Sequence, residues 1–346
     1  MNKQSQKGGN HSINIQAESL IVEARLTYKD VRDIALDVFK QNFHQLVGVA
    51  KETAAQRAEE ITDNFLKTLQ ERNPEGIRSA EDPDFQYALF TAQREYARAG
   101  DTDLADILVD ILVERSKESA RSLQSIVLNE SLNVAPKLTS DQMTVLSLVF
   151  TLRYTKYLKM NSTQALKDYI RTRIAPFIND LPNKESAYQH LEFVGCCNIQ
   201  VTQISVENIF NRNYPVLFSN GFTLEALKEK IGDSQYPGEL VIPCMHDSKM
   251  FQINAIDEEV FRKLAADRSV SDDITNKFLE LHQKSMMNQT KIKEYLESLD
   301  SVMPDFLKRW DDSSLKHITL TSVGIAIGHA NVRRVTGEGA PLSIWI

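Results

Sequence analysis

Apolar residues recur every three or four positions along most of the chain, which predicts a mainly α-helical protein. The longest apolar stripe begins after Thr27 and includes Val31, Phe39 and Leu69. No proline interrupts this stripe, so it predicts one helix of about 45 residues that extends about 65 Å at 1.5 Å per residue. A helix of that length favours a coiled-coil or helical-hairpin partner, and Gly48 is its weakest point.

Shorter helical stripes follow the long one. Pro74 and Gly76 end the long stripe, and Asp82 with Pro83 starts the next, because both residues suit the first turn of a helix. Short connections between the following stripes predict two consecutive helical hairpins. Residues 27–135 are therefore predicted to form one unit, made of the long helix and the hairpins.

The segment after Pro136 predicts three more helices and then a strand pair. The helices cover residues 140–152, 164–178 and 183–194. Gly195 ends the third helix, and apolar residues at strand-like positions follow between Cys196 and Ile204. Three helices followed by a strand pair are typical of a winged helix, so residues 136–218 are predicted to form a winged-helix-like unit.

Helix and strand patterns are mixed in residues 219–346, which predict a small α/β part at the end of the chain. Strands are predicted at residues 240–243, 250–253, 317–320 and 342–346. Helices are predicted at residues 258–266, 273–283, 291–299 and 322–335. The fold class is therefore mainly α, with a long N-terminal helix, a helical bundle with a winged-helix-like unit, and this mixed part.

Residues 1–26 form a polar N-terminal segment in which a short strand is predicted. Ile13 and Ile15 alternate with polar residues, which is a strand pattern with a period of two. Asparagine and glutamine side chains form ladders along stacked strands, so this segment is a candidate for self-assembly. The candidate residues are Asn10, Ser12, Ile13, Asn14, Ile15 and Gln16. A single edge strand or a mobile tail is the simpler interpretation.

Composition and charge limit the classes of function. The 346 residues are enough for two or three modules, and the net charge of -7 argues against a dedicated nucleic-acid-binding protein. Three cysteines are an odd number, which favours free thiols in a reducing compartment. No stretch is apolar enough for a signal peptide or a membrane-spanning helix. We therefore expect a cytoplasmic protein.

No familiar catalytic or phosphate-binding motif occurs in the sequence, and we assign no catalytic, cofactor-binding or metal-binding residue. Gly337 and Gly339 flank a glutamate, but the segment lacks the lysine of a phosphate-binding loop, so we interpret it as a turn. Cys196, Cys197, Cys244 and His246 could in principle bind zinc. We favour buried thiols near a core histidine, because adjacent cysteines on a strand point to opposite faces. An enzyme site around Cys244 and His246 is a third, weaker hypothesis.

Basic residues are concentrated in the middle of the chain. If the winged helix forms, Lys167, Arg171 and Arg173 would lie on or near its recognition helix and could contact phosphates. A solvated charged face is the simpler interpretation of these residues.

Several blocks of the sequence resemble a bacterial family of unknown function. The start GGNHSINIQ and the ending LTSVGIAIGHANVRRVTGEGAPLSIWI are two of these blocks, and together the blocks span nearly the whole chain. In residues 82–218, LTSDQMTVLSLVF and AYQHLEFVGCCNI are also similar to the abortive-infection alpha family of phage-defence proteins. The second resemblance implies a role in defence against phage.

Two functional hypotheses follow from these observations. The first is a non-enzymatic interaction protein that assembles with itself through residues 12–70 and meets an unknown protein or a phage-derived trigger. The alternative is a winged-helix regulator that binds nucleic acid. Neither hypothesis needs a cofactor.

Overall fold

The computed structural model describes residues 26–43, 46–232 and 236–346. Within these ranges the protein is mainly α-helical, as the sequence predicts, and its strands form two small antiparallel sheets. The helices are α1 Tyr28–Asn42, α2 Val49–Arg72, α3 Pro83–Ala99, α4 Thr102–Arg115, α5 Leu123–Val134, α6 Ser140–Arg153, α7 Thr163–Tyr169, α8 Ala175–Ile178, α9 Glu185–Phe193, α10 Val206–Asn213, α11 Leu224–Ile231, α12 Glu258–Asp267, α13 Asp272–Ser285, α14 Gln289–Leu299, α15 Met303–Asp312 and α16 Ser322–Thr336. The strands are β1 Cys197–Ile199, β2 Val241–Pro243, β3 Phe251–Ile253 and β4 Ile318–Leu320.

The first apolar stripe forms two helices, so the prediction of one long helix is wrong. α1 begins at a capping box on Thr27, and α2 begins after Gly48, whose φ of 59° lies in the left-handed region that glycine tolerates. α1 packs back against α2, and Arg32 of α1 pairs with Glu59 and Asp63 of α2. The two halves of the stripe therefore cover each other within one chain.

The predicted helical hairpins are present as α3, α4 and α5, which pack against one another, and α3 and α4 also pack against α2. α3 begins at Asp82, whose side chain accepts from the backbone N–H of Asp84, with Pro83 in its first turn. Gly100 ends the helix in the left-handed conformation. These boundaries follow the local signals that the sequence carries.

α16 is the central helix of the bundle and contacts α4, α5 and α6. Its residues 324–332 are all buried. A Cβ atom at Gly324 would lie 1.9 Å from the carbonyl oxygen of Cys196, and one at Gly328 would lie 2.8 Å from that of Leu146. The two glycines thus allow α16 to approach β1 and α6 more closely than any other residue would.

The winged-helix prediction is only partly met. The three helices are present as α6, as α7 and α8 joined by a π-helical turn at Ile170–Ile174, and as α9. The prediction of a strand pair within residues 196–204 is wrong. β1 pairs instead with the distant β4, where Cys197 lies opposite Leu320. The wing therefore does not form in residues 196–204.

The last part of the chain contains the predicted strands β2, β3 and β4 and the predicted helices α12, α13, α14 and α16. β2 and β3 pair with each other, with Val241 opposite Ile253, beside a second apolar core around Phe261 and Phe278. Residues 342–346 do not form the predicted strand, since Leu342–Ile344 is a 3-10 turn. No helix in the described ranges is long and apolar enough to cross a lipid bilayer.

Candidate functional site

A pocket of about 760 Å³ opens beside the centre of the bundle. Its walls come from the end of α6 and the loop after it, from α7 with its π turn, from α16, and from the chain segment that follows α16. The lining residues are Phe150, Thr151, Tyr154, Thr155, Lys156, Tyr157, Leu158, Tyr169, Arg173, His329, Val332, Gly337, Glu338, Gly339, Ala340, Ile344 and Trp345. Pockets of this size accommodate small organic molecules.

Aromatic side chains form much of the wall. Phe150 and Trp345 meet edge to face, with ring centroids 4.8 Å apart, and the Trp345 indole N–H donates to the Tyr154 carbonyl oxygen at 2.7 Å. Tyr157 and Tyr169 form a second aromatic pair, with centroids 5.7 Å apart. The hydrogen bond of Trp345 fastens the end of the chain to α6, so the wall is assembled from residues nearly two hundred positions apart in sequence.

His329 contributes a buried nitrogen that has no partner. Its side chain is 2% exposed, and its Nε2 atom lies 2.7 Å from the carbonyl oxygen of Ala340. Because a carbonyl oxygen only accepts, Nε2 carries the proton and Nδ1 keeps a lone pair. Among the described residues no hydrogen-bond donor reaches Nδ1, and this atom has almost no accessible surface. Burial lowers the pKa of His329, so the imidazole is neutral at pH 7.

Thr151 contributes a second polar atom of this kind. The residue is 5% exposed, and its Oγ1 atom has no hydrogen-bond partner. The nearby Thr155 hydroxyl, by contrast, donates to the Thr151 carbonyl oxygen at 2.7 Å. A buried polar atom without a partner costs about 1–3 kcal/mol, so native proteins keep few of them. Two of the eight such atoms among the described residues belong to residues of the pocket lining, and neither has appreciable accessible surface.

Four charged side chains lie around the pocket or next to it, and they are paired. Arg173 forms an ion pair with Glu338, and Lys156 forms one with Asp257 at 2.5 Å. The first pair joins the π turn to the segment after α16 across the pocket. The rim therefore carries little net charge.

A buried ionic network anchors α16 behind the pocket. Asp110 and Glu114 of α4 are buried and pair with Arg72 of α2 and with Arg333 of α16. Burial alone would raise the pKa of Glu114, but hydrogen bonds from Lys117 and Arg333 outweigh it and hold this pKa below its usual range. Arg333 lies one helical turn after His329, so the network fixes the part of α16 that carries the imidazole.

The three residues predicted to contact nucleic acid do not all lie on one exposed surface. Lys167 and Arg171 are exposed on α7 and its π turn, whereas Arg173 lies at the pocket and pairs with Glu338. Since the wing is absent from this unit, the geometry expected of a recognition helix is not formed. Binding of nucleic acid by these residues stays a prediction.

The hypothesis of a site around Cys244 and His246 finds little support in the contacts of these residues. The Cys244 thiol donates to the Ser219 carbonyl oxygen at 3.5 Å, and His246 Nε2 donates to the Leu217 carbonyl oxygen at 2.6 Å. Each side chain thus contacts the main chain and not the other side chain.

The thiols of Cys196 and Cys197 are buried on and beside β1, and burial raises the pKa of each to about 12. They are therefore protonated at neutral pH and are poor nucleophiles. Among the described residues, no group of three or more histidine, cysteine, aspartate or glutamate residues could hold a metal ion. The four residues considered for zinc are not brought together.

The candidate self-assembly residues lie outside the described residues. These residues are Asn10, Ser12, Ile13, Asn14, Ile15 and Gln16. Self-assembly through them stays a prediction.

Sequence reasoning missed the pocket itself. One local signal existed, because Phe150, Tyr154 and Tyr157 follow one another at the spacing of a helix face and lie near the end of α6. The turn interpretation of Gly337–Gly339 places this segment at the end of α16, where it forms part of the rim. Nothing local indicated that His329 and Thr151 would be buried without partners.

Comparison with known proteins gives a family but no activity. A family model of uncharacterised proteins matches residues 26–346, which is nearly the whole chain. No curated protein and no solved structure matches the chain. These comparisons provide no link to abortive infection.

Proposed function

The chain belongs to the uncharacterised family whose model it matches, and we propose that it is a non-enzymatic interaction protein that recognises a ligand in the aromatic pocket. One observation carries this proposal: a pocket of about 760 Å³ with aromatic walls opens beside α16, and the charged side chains at its rim are already paired. A ligand that packs against these aromatic walls buries apolar surface of its own and of the pocket.

The chemical state of the lining supports recognition more than catalysis. Burial holds His329 neutral and raises the pKa of Tyr169, so neither group exchanges protons readily near pH 7. Arg173 and Lys156 are already paired with carboxylates. These groups suit the binding of a ligand, whereas bond-breaking chemistry needs a nucleophile or a proton donor with a matched pKa.

Ligand recognition is proposed to control how the protein meets its partners. Those partners are further copies of the chain, through the segment of residues 10–16, or an unknown protein or phage-derived trigger. The resemblance to the abortive-infection alpha family suggests defence against phage as the setting. A chain without residues 1–18 should form smaller species by light scattering, and an unchanged mass would remove the self-assembly part.

Trp345 offers a direct test of binding in the pocket. The protein has two tryptophans, and Trp310 is fully buried in the core, so a ligand in the pocket should change the emission of Trp345 alone. We expect a screen of small metabolites to yield compounds that raise the melting temperature and quench the emission. Trp345→Phe should remove the quenching and keep most of the thermal shift, because phenylalanine preserves an aromatic wall.

Two outcomes would overturn the proposal. One is a screen in which no compound stabilises the protein. The other is a set of stabilising compounds whose quenching persists in Trp345→Phe, since those compounds would bind elsewhere.

A further inference from the structure

Residues 219–286 form a module that is inserted into the helical bundle. The chain leaves the bundle after α10 and returns to it in α14, and these two helices pack against each other. The elements between them, α11, β2, β3, α12 and α13, pack mainly against one another. Leu240, Ile253, Phe261 and Phe278 are 0% exposed and belong to an apolar core of their own. The inserted module therefore has the separate core that is typical of an independently folding domain.

The two ends of the inserted module meet in a short antiparallel neck. Ser219 pairs with Met286 across this neck. The Asn220 N–H donates to the Ser285 carbonyl oxygen at 2.7 Å, and the hydroxyl oxygens of Ser219 and Ser285 lie 2.8 Å apart. A module that joins the rest of its chain through two adjacent crossings can rotate about them, because few other contacts must break.

Few polar contacts join the inserted module to the bundle outside this neck. His246 Nε2 donates to the Leu217 carbonyl oxygen at 2.6 Å, and the His246 ring meets Tyr295 edge to face with centroids 4.6 Å apart. Lys156, in the loop after α6, pairs with Asp257 of the module at 2.5 Å, and among the described residues this is the only ion pair between the two parts. Lys156 also lines the aromatic pocket, so this ion pair joins the module to the pocket rim.

The position of Lys156 in the chain places it between two parts of the pocket wall. Two residues earlier, the Tyr154 carbonyl oxygen accepts from the Trp345 indole N–H at 2.7 Å. One residue later, Tyr157 belongs to the second aromatic pair of the wall. Asp257 is fixed to the module, because its side chain caps the first turn of α12. A displacement of α12 therefore acts, through the ion pair, on the loop that contributes to both parts of the wall.

We propose, on the basis of the proposed ligand-binding function, that the inserted module is a hinged unit that folds around its own core, and that the ion pair of Asp257 with Lys156 couples its position to the aromatic pocket. A ligand that moves the loop after α6 changes this ion pair, and the module rotates about its neck in response. The coupling is reciprocal, so a partner that holds the module in one position changes the affinity of the pocket by the same factor.

The first test asks whether the inserted module opens as a unit of its own. Amide hydrogen exchange of the full chain is measured by mass spectrometry for Ile253→Val, in the module core, and for Ile107→Val, a matched control that is equally buried in the bundle. We expect Ile253→Val to speed exchange about 2- to 10-fold in peptides of residues 219–286 and to leave the peptides of the bundle unchanged. Ile107→Val should leave exchange in the module unchanged.

The second test breaks the ion pair in the full chain. Asp257→Ser removes the carboxylate but keeps a good helix cap, so α12 stays formed. Spin labels at Lys263→Cys on α12 and Lys167→Cys on α7, both exposed, report the distance between module and bundle, and the three native cysteines are buried. We expect Asp257→Ser to raise the population of rotated arrangements by about 1.5- to 5-fold, the contribution of an exposed ion pair. The emission of Trp345 should change with it, whereas Trp310 is fully buried.

Glu239→Gln is the matched control for the second test. This variant breaks the exposed ion pair of Glu239 with Arg268, which lies wholly within the inserted module. Its distance distribution and its Trp345 emission should equal those of the wild type.

The outcomes separate the hinged module from the proposed function. Exchange that rises evenly along the whole chain in both isoleucine variants would show one cooperative unit and would overturn the proposal. A distance distribution and a Trp345 emission that stay unchanged in Asp257→Ser would overturn the coupling. If both tests succeed and no compound binds in the pocket, the proposed function is wrong and the hinged module remains.

Discussion

The close approach of α16 to β1 and α6 predicts that two similar glycine substitutions have very different effects. Gly324 and Gly328 lie one turn apart on the same helix, and both are buried. An alanine Cβ at position 324 would lie 1.9 Å from the Cys196 carbonyl oxygen, whereas one at position 328 would lie 2.8 Å from the Leu146 carbonyl oxygen. Real Cβ atoms keep at least 3.0 Å from such atoms. The backbone must therefore move by about 1.1 Å in the first case and about 0.2 Å in the second.

These displacements translate into different free energies of unfolding. Overpacking of a dense core costs about 1–3 kcal/mol and occasionally more. The higher helix propensity of alanine returns up to about 1 kcal/mol. We expect Gly324→Ala to lower the free energy of unfolding by about 2–3 kcal/mol or more, because β1 would have to move against its pairing with β4. Gly328→Ala should change it by less than about 1 kcal/mol.

Urea denaturation of both variants and of the exposed control Val335→Ala measures these differences. All three positions lie on α16, so the control corrects for substitution within this helix. A Gly324→Ala variant as stable as Gly328→Ala would refute the close approach of α16 to β1. Binding provides a second readout, because a displaced α16 also displaces His329 and should weaken any ligand of the pocket.

Two further predictions concern buried titratable groups. Burial lowers the pKa of His282 to about 4, so the unfolded chain binds a proton below pH 6.5 that the folded chain excludes, and stability falls as pH drops from about 6.5 towards 4. Between pH 7 and pH 5 the free energy of unfolding falls by about 2 kcal/mol. In His282→Gln the urea midpoints at pH 7 and pH 5 should therefore differ by less than in the wild type. An unchanged difference would contradict a lowered pKa of His282 as the cause. Cys196 and Cys197, with pKa values raised to about 12 by burial, should resist iodoacetamide in the native protein at pH 8 and react only in denaturant, and rapid native labelling seen by mass spectrometry would show that β1 is accessible.

Local signals in the sequence were sufficient for the helical elements of the protein. Asp82, Pro83 and Gly100 bound α3 as their backbone preferences predict. The stripe from Thr27 to Leu69 was predicted as one helix, and the structure has two helices there, α1 and α2. Its division at Gly48 depended on whether the two halves would pack against each other, and periodicity alone does not contain that information.

The pairing of strands that are distant in sequence could not be predicted from local patterns. The strand-like residues after Gly195 were interpreted as half of a local pair, but Cys197 pairs with Leu320, more than one hundred residues away. Such pairings depend on the assembled core and leave no periodic trace at either strand. The same reason explains the missed pocket, since Thr151 and His329 line one pocket only when α6 and α16 pack together.

The spacing of the two glycines on α16 was a local signal of this core. Gly324 and Gly328 stand inside a helical pattern where alanine would be more stable, which indicates a close packing partner. The pattern did not show which element packs against Gly328, which is α6 in the structure.

The state of the His329 ring tests the central claim most directly. Nitrogen NMR of histidine-labelled protein reports the protonation and hydrogen bonding of Nδ1 and Nε2, without ligand and at saturation with a compound that binds. We expect a neutral ring with its proton on Nε2, a pKa below the ordinary value, and a shift of the ring resonances when a compound binds in the pocket that His329 lines. A ring that titrates near pH 6.5, or ring resonances that do not move at saturation, would contradict the binding of a ligand beside a buried, neutral His329.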